Sequence, residues 1–163
     1  MKLSDIVGYR LDMVRCAALR SLHRLLAGSS FRPADTTTLL FVKEHPGCDQ
    51  TMLGHALAGN RSVGMKLAAR LEVRGLLTRG EGRDGRSKGL YIAPAGEAAL
   101  ADLLALHAKA EARLTAALTE RERAQLLTLL GKIERTVLDE EADLAAGGSQ
   151  QEQAARAGVG LET

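Results

Sequence analysis

Aromatic side chains are scarce in this chain: its 163 residues include no tryptophan, two phenylalanines and two tyrosines. Any core must therefore be built from Leu, Ala, Val and Met, which favours packed helices over an aromatic-rich sheet. The two cysteines, Cys16 and Cys48, fit no metal spacing such as C-x-x-C, and in a chain of this kind they read as inert thiols rather than a disulfide. No apolar run approaches membrane-spanning length, and Asp5 stands where a signal peptide needs apolar residues. The expected location is cytoplasmic. There is no nucleophile elbow, phosphate loop, HExxH or paired-carboxylate pattern, so neither an enzyme nor a cofactor is expected. The four histidines are scattered, and only His107 with Glu111 makes an i, i+4 pair, so no metal site is expected.

What is present is a concentration of positive charge. The length suits one ordinary domain with appended helices. Net charge is only +2, but it is unevenly divided. Residues 60–90 hold eight Lys/Arg against three Asp/Glu, a local +5, while residues 91–163 hold seven against twelve, a local −5. So local an excess points to an anionic partner, and double-stranded DNA is the first candidate. Within it lies "RGEGRDGRSKGLYI", residues 79–92, where four glycines carry Arg79, Arg83, Arg86 and Lys88 around Glu81 and Asp84.

The flanks explain the charge. Apolar residues spaced by three and four from Ile6 to Leu26 predict an amphipathic helix over Ser4 to Ala27, ended by Gly28. A second helix is expected from Pro33 to Pro46. Asp49 then caps a short helix carrying Leu53 and Leu57, Gly59 turns the chain, and Asn60 caps the next helix. Two helices joined so tightly are a helix-turn-helix candidate. On the second of them, Gly64, Leu67, Ala68 and Leu71, with Val63 nearby, share one side, and Arg61, Ser62, Met65, Lys66 and Ala69 fill the rest. "LLTRG" and "GLYIA" then read as two strands around a basic turn. A cationic hairpin directly after a DNA-reading helix is a wing, able to lie along phosphates and the minor groove. From Pro94 a long Ala/Leu helix is expected to Leu118. Thr119 and Glu122 form a capping-box pattern opening a last helix with Leu126, Leu127, Leu129, Leu130, Ile133 and Val137. The first and last helices are too apolar to face water, which predicts a homodimer.

This order resembles the MarR family of winged-helix transcriptional regulators, over roughly residues 5 to 140. The resemblance rests on "RLEVRGLLTRGEGRDGRS", similar to the family's R-L-E-x-x-G-L strand entry and D-x-R wing tip, and on "IAPAG", similar to L-T-x-x-G. It implies a mainly α fold with a small β-hairpin: a winged helix-turn-helix flanked by N- and C-terminal dimerisation helices. The expected domain is 1–145, its DNA-binding core about 33–93, with a flexible tail over 146–163. The expected DNA-contacting residues are Asn60, Arg61, Ser62, Met65, Lys66 and Arg70 on the reading helix, and Arg83, Asp84, Arg86 and Lys88 on the wing. By resemblance Asp84 orients Arg86 into the minor groove. The resemblance also implies a pseudo-palindromic operator, most often a repressor role, and a small aromatic effector. Tyr9, Arg15, His23 and His107 are the expected effector-lining residues. A metal- or redox-responsive regulator of this fold, or a helical interaction protein without specific DNA binding, is the alternative.

Two departures stand out. Where the family commonly shows Thr-Val-Thr-Arg, this chain has Val63-Gly64-Met65-Lys66, which removes one hydroxyl and one buried aliphatic group. Ala93 replaces the usual Thr before Pro94, removing a side-chain cap at a cost of about 1 kcal/mol.

Overall fold

A computed structural model of the chain describes residues 1–57, 59–83, 85 and 88–138. The chain divides into two compact units, Met1–Leu114 and the segment from Thr115 onward. In the first unit the elements are α1 (Val7–Leu25), α2 (Pro33–Glu44), α3 (Gln50–Ala56), α4 (Arg61–Val73), β1 (Leu77–Glu81), β2 (Lys88–Ile92) and α5 (Pro94–Leu114). The second contains a helix over residues 120–138, here α6. Among the described residues the architecture is mainly α with a single two-stranded antiparallel hairpin. No helix among the described residues is long and apolar enough to cross a membrane.

The core is aliphatic, as the shortage of aromatics requires. Leu22 and Leu26 from the end of α1 meet Leu39 and Val42 of α2, Leu53 of α3, Ala68 and Leu71 of α4, Leu77 and Leu90 of the hairpin, and Leu100 and Leu103 of α5. Burying each such Leu contributes roughly 1.5–3 kcal/mol.

α3 and α4 form the helix-turn-helix, and each opens on the expected cap. The Asp49 carboxylate accepts from the Met52 N–H at 2.8 Å, and the Asn60 side-chain oxygen accepts from the Val63 N–H at 3.2 Å. Their packing accounts for the missing aliphatic group. A Cβ on Gly64 would lie 2.0 Å from the Gln50 carbonyl oxygen, and one on Gly54 would lie 2.2 Å from that of Asn60. The space that a larger side chain would need is occupied by backbone.

The hairpin pairs Leu77 with Ile92 through Glu81 with Lys88. Its base is held by the α2–α3 connection: Gly47 N–H donates to Leu90 O at 2.9 Å, and Leu90 N–H donates to Cys48 O at 2.8 Å. Gly47 adopts φ 77°, and a Cβ on Gly89 would lie 2.7 Å from its Cα, so this junction admits no larger residue.

Three expectations need correction. The first helix does not begin at Ser4: Asp5 accepts from the Lys2 N–H at 2.9 Å, closing a 3-10 turn over Leu3–Asp5, and Ile6 is extended before α1 starts. The helix from Pro94 ends at Leu114 rather than Leu118, with a turn over residues 115–117. Val63 is not on the core side but 39% exposed, leaning over the Gly59 turn. The capping box at Thr119 is present, with the Glu122 carboxylate accepting from Thr119 N–H and Oγ1, both at 2.8 Å. The expected tail over 146–163 lies outside the described residues.

Candidate nucleic-acid interface

α4 buries Gly64, Ala68 and Leu71 and turns Asn60, Arg61, Ser62, Val63, Met65, Lys66 and Ala69 to the outside. Polar and apolar groups thus alternate on the outward surface of one rigid helix, with Met65 47% exposed. Asn60 is committed as a cap by its side-chain oxygen.

Beside the start of α4 lies a cavity of about 360 Å³ lined by Asp49, Gln50, Thr51, Arg61, Arg79 and Lys88. Three cations from three elements converge there. Arg79 is pinned: its Nε and one Nη donate to the Glu72 carboxylate at 2.5 and 2.8 Å, and this hydrogen bonding raises its pKa. With the Gln50 amide turned so that its oxygen faces the guanidinium, Arg79 donates to it at 2.7 and 3.0 Å as well. Among the described residues no carboxylate pairs with Arg61, Lys66 or Lys88, whereas five other cations of this unit do have ion-pair partners. Unpaired cations around a cavity lined by a helix start suit an anionic oxygen. Gln50, Thr51 and Arg79 were missed in the sequence because only the fold brings the start of α3 beside β1.

On the hairpin, Arg83 Nε donates to the Pro46 carbonyl at 3.1 Å, fixing the side chain against the α2–α3 connection. Tyr91 supports the same place, its hydroxyl donating to Glu81 O at 2.7 Å. Asp84 and Arg86, the expected wing pair, lie outside the described residues.

Arg70 departs from expectation. It flanks the buried stripe of α4, and its guanidinium donates to both oxygens of the buried Asp35 on α2. Burial, then repulsion from Arg32 and Arg74, lowers its pKa, yet a guanidinium stays charged at neutral pH. The ion pair commits the Arg70 guanidinium to α2.

The expected effector residues are dispersed. Arg15 is exposed and donates to Asp12 at 2.7 and 3.2 Å, a contact that raises its pKa. Tyr9 and His23 are exposed. His107 is half-buried, with Nε2 4.0 Å from Glu111 and no partner on its buried Nδ1. None of the four lines the cavity of about 450 Å³ between α1 and α5, which is formed by Ala17, Ser21, Arg24, Arg113 and Leu114. Cys48 is fully buried, and burial pushes its thiol pKa up. Among the described residues no three His, Cys, Asp or Glu side chains are grouped to hold a metal ion.

A helix-turn-helix followed at once by a β-hairpin defines a winged helix-turn-helix, a DNA-binding class. No family sequence profile matches the chain, and no curated protein matches it. Solved structures do. The transcriptional repressor CouR bound to p-coumaroyl-CoA is 30% identical, with 82% of this chain and 94% of that one covered and a TM-score of 0.67. The same repressor bound to a DNA duplex gives 29%, 82%, 98% and 0.72. A probable transcriptional regulator from Pseudomonas aeruginosa gives 26%, 81%, 99% and 0.70. At 23% identity, a MarR-family regulator from Rhodococcus sp. RHA1 shares the fold, with a TM-score of 0.74 and coverage of 82% and 96%. The chain belongs to the MarR family of winged-helix transcriptional regulators. It is a DNA-binding regulator and not an enzyme.

Proposed function

We propose that the protein is a ligand-responsive repressor that binds a pseudo-palindromic operator as a homodimer. The observation that carries this reading is the outward surface of α4, where the unpaired Arg61 and Lys66 bracket Ser62 and Met65 beside the cationic cavity. In the proposed complex α4 enters the major groove with Arg61, Ser62, Met65 and Lys66 toward base edges and nearby phosphates. Lys88 and Arg61 hold a backbone phosphate at the cavity, and Arg83, Asp84 and Arg86 serve the wing. Two copies of α4 would stand one helical turn of DNA apart, roughly 34 Å.

Dimerisation is supported by apolar residues without cover in the single chain: Ile6, Val7, Met13 and Val14 around α1, and Leu126, Leu129, Ile133 and Val137 on α6. An effector is supported by two relatives. CouR is bound to p-coumaroyl-CoA and, as a likeness of fold alone, BpsR is regulated by 6-hydroxynicotinic acid. In this chain the α1–α5 cavity, with Arg24 and Arg113, offers cations for an aromatic acid or its thioester.

The test is enrichment of genomic fragments by the purified protein, followed by binding at several salt concentrations. Affinity should fall steeply with salt, and Lys66→Ala should lower the slope by about one unit while relaxing base choice at one symmetric pair of positions. Aromatic acids or their thioesters should release the bound DNA. Failure to enrich any fragment at moderate salt would refute the regulator reading, and release by no such compound would refute the effector.

A further inference from the structure

Asp35, the third residue of α2, is fully buried, and among the described residues of the first unit its carboxylate gathers the most partners. Its Oδ2 accepts from the Arg32 backbone N–H at 2.8 Å and from Arg70 Nη1 at 3.1 Å, and its Oδ1 accepts from Arg70 Nη2. Arg74 Nη1 stands 3.6 Å from Oδ2. Arg74 also donates to Ser30 O at 3.3 Å and to Ser30 Oγ at 2.8 Å, and its guanidinium lies 4.1 Å from the centre of the Phe31 ring. Two adjacent guanidiniums at the C-terminal end of α4 therefore grip residues 30–35, the junction that joins α1 to α2.

The exposed residues that face DNA in the proposed complex occupy the opposite end of the same helix. Arg61 is nine residues from Arg70, about 14 Å at 1.5 Å per residue, so a tilt of about 10° pivoting there moves Arg61 by roughly 2 Å. A hydrogen bond does not survive such a displacement. We propose that Asp35, Arg70 and Arg74 form a latch that sets the pitch of α4 against DNA, making them positioning residues for operator reading. The latch also couples the α1–α2 junction to the reading helix, so a shift of α1 reaches the operator contacts directly. This inference rests on the DNA-reading role of α4.

A buried ion pair need not be there for stability, since replacing both partners is often neutral while removing one leaves an uncompensated charge. The decisive protein is therefore the full chain carrying Asp35→Asn with Arg70→Met. Asn retains an acceptor for the Arg32 N–H, and no charge is orphaned at residue 70. Affinity for the enriched operator and for unrelated duplex DNA is measured well below the melting temperature, at several salt concentrations. The double variant should melt cooperatively, bind the operator roughly tenfold or more weakly, as expected for losing a base contact in each half-site, and keep wild-type affinity and salt slope on unrelated DNA. Unchanged operator affinity in the folded double variant overturns the latch. A parallel loss on both DNAs with a reduced salt slope also overturns it, because Arg70 would then be a phosphate contact. Should the double variant not fold, Arg70→Lys decides: it keeps the charge without the fork, and its ratio of operator to unrelated affinity must fall. A wild-type protein that binds no DNA removes both this inference and the function it rests on; wild-type binding with an unaffected double variant removes only the latch.

Discussion

Met65 is an unusual residue to find 47% exposed in the middle of the proposed DNA-reading surface, flanked by charge. A thioether chain makes no hydrogen bond of consequence to a base edge, but it packs against the one apolar group that the major groove displays, the thymine methyl. Replacing thymine with deoxyuridine across the operator, one symmetric pair at a time, should therefore weaken wild-type binding at one pair. The expected loss is about fourfold per half-site, corresponding to about 0.8 kcal/mol for a methyl-sized group. Met65→Thr should bind both DNAs alike at that pair. Equal sensitivity of wild type and variant at every pair would show that Met65 does not reach the bases. That Met65 falls outside the buried arc of Gly64, Ala68 and Leu71 was legible from helical periodicity alone. The destination of Arg70 was not, because periodicity places a side chain on an arc of the helix and says nothing of a buried carboxylate thirty-five residues earlier.

At the scale of elements, the α3–α4 crossing depends on a residue that looks like a defect. Glycine at position 64 weakens an isolated helix by roughly 1 kcal/mol relative to alanine, yet Gly64→Ala should destabilise the protein. Its new methyl would fall 2.0 Å from a backbone oxygen that has no rotamer by which to move. The expected loss exceeds the ~1–3 kcal/mol typical of core overpacking, read as a lowered denaturant midpoint. A variant as stable as wild type would mean that the helices part freely. The caps, the hairpin and the order of helices were legible because Asp49, Asn60, Thr119 and the Gly-rich turn are local signals. The break at Ile6 and the early end of α5 were not, since both occur inside continuous apolar spacing. The cap of α6 carries a pH dependence of its own. Hydrogen bonds from the Thr119 backbone and then its side chain hold the Glu122 pKa below the usual carboxylate range. A carboxylate whose folded pKa is depressed stabilises fully above its unfolded value and loses that contribution as pH falls through the folded one. Wild type should thus be more helical than Glu122→Ala at neutral pH, with the difference in circular dichroism vanishing in strong acid. A difference that persists there would assign the effect to helix propensity instead.

At the scale of the whole molecule, the apolar residues of α1 and α6 set the terms for assembly. Leu126, Leu127, Leu129, Ile133, Val137 and Leu138 are all exposed on α6, as are Ile6, Val7, Leu11, Met13 and Val14 near the start of the chain. Scattered exposed leucines need no explanation, but a helix whose apolar residues recur along its length without cover does. A helix so exposed gains little from tertiary burial, which is where most helical stability in proteins arises. If a second copy supplies the cover, the chain is dimeric without DNA, and its melting temperature rises with protein concentration. Truncation after Leu118 removes α6 entirely while leaving the winged core of residues 33–93 intact. The truncated chain should be a monomer or an aggregate by sedimentation, and any monomer should lose the concentration dependence of melting. Its operator affinity should fall far more than its affinity for a single half-site, because two reading helices on one dimer bind the second half-site at high effective concentration. A truncated protein that remains a soluble dimer of unchanged stability would place the interface elsewhere, whereas a full-length chain that sediments as a monomer at all concentrations would refute the dimer itself.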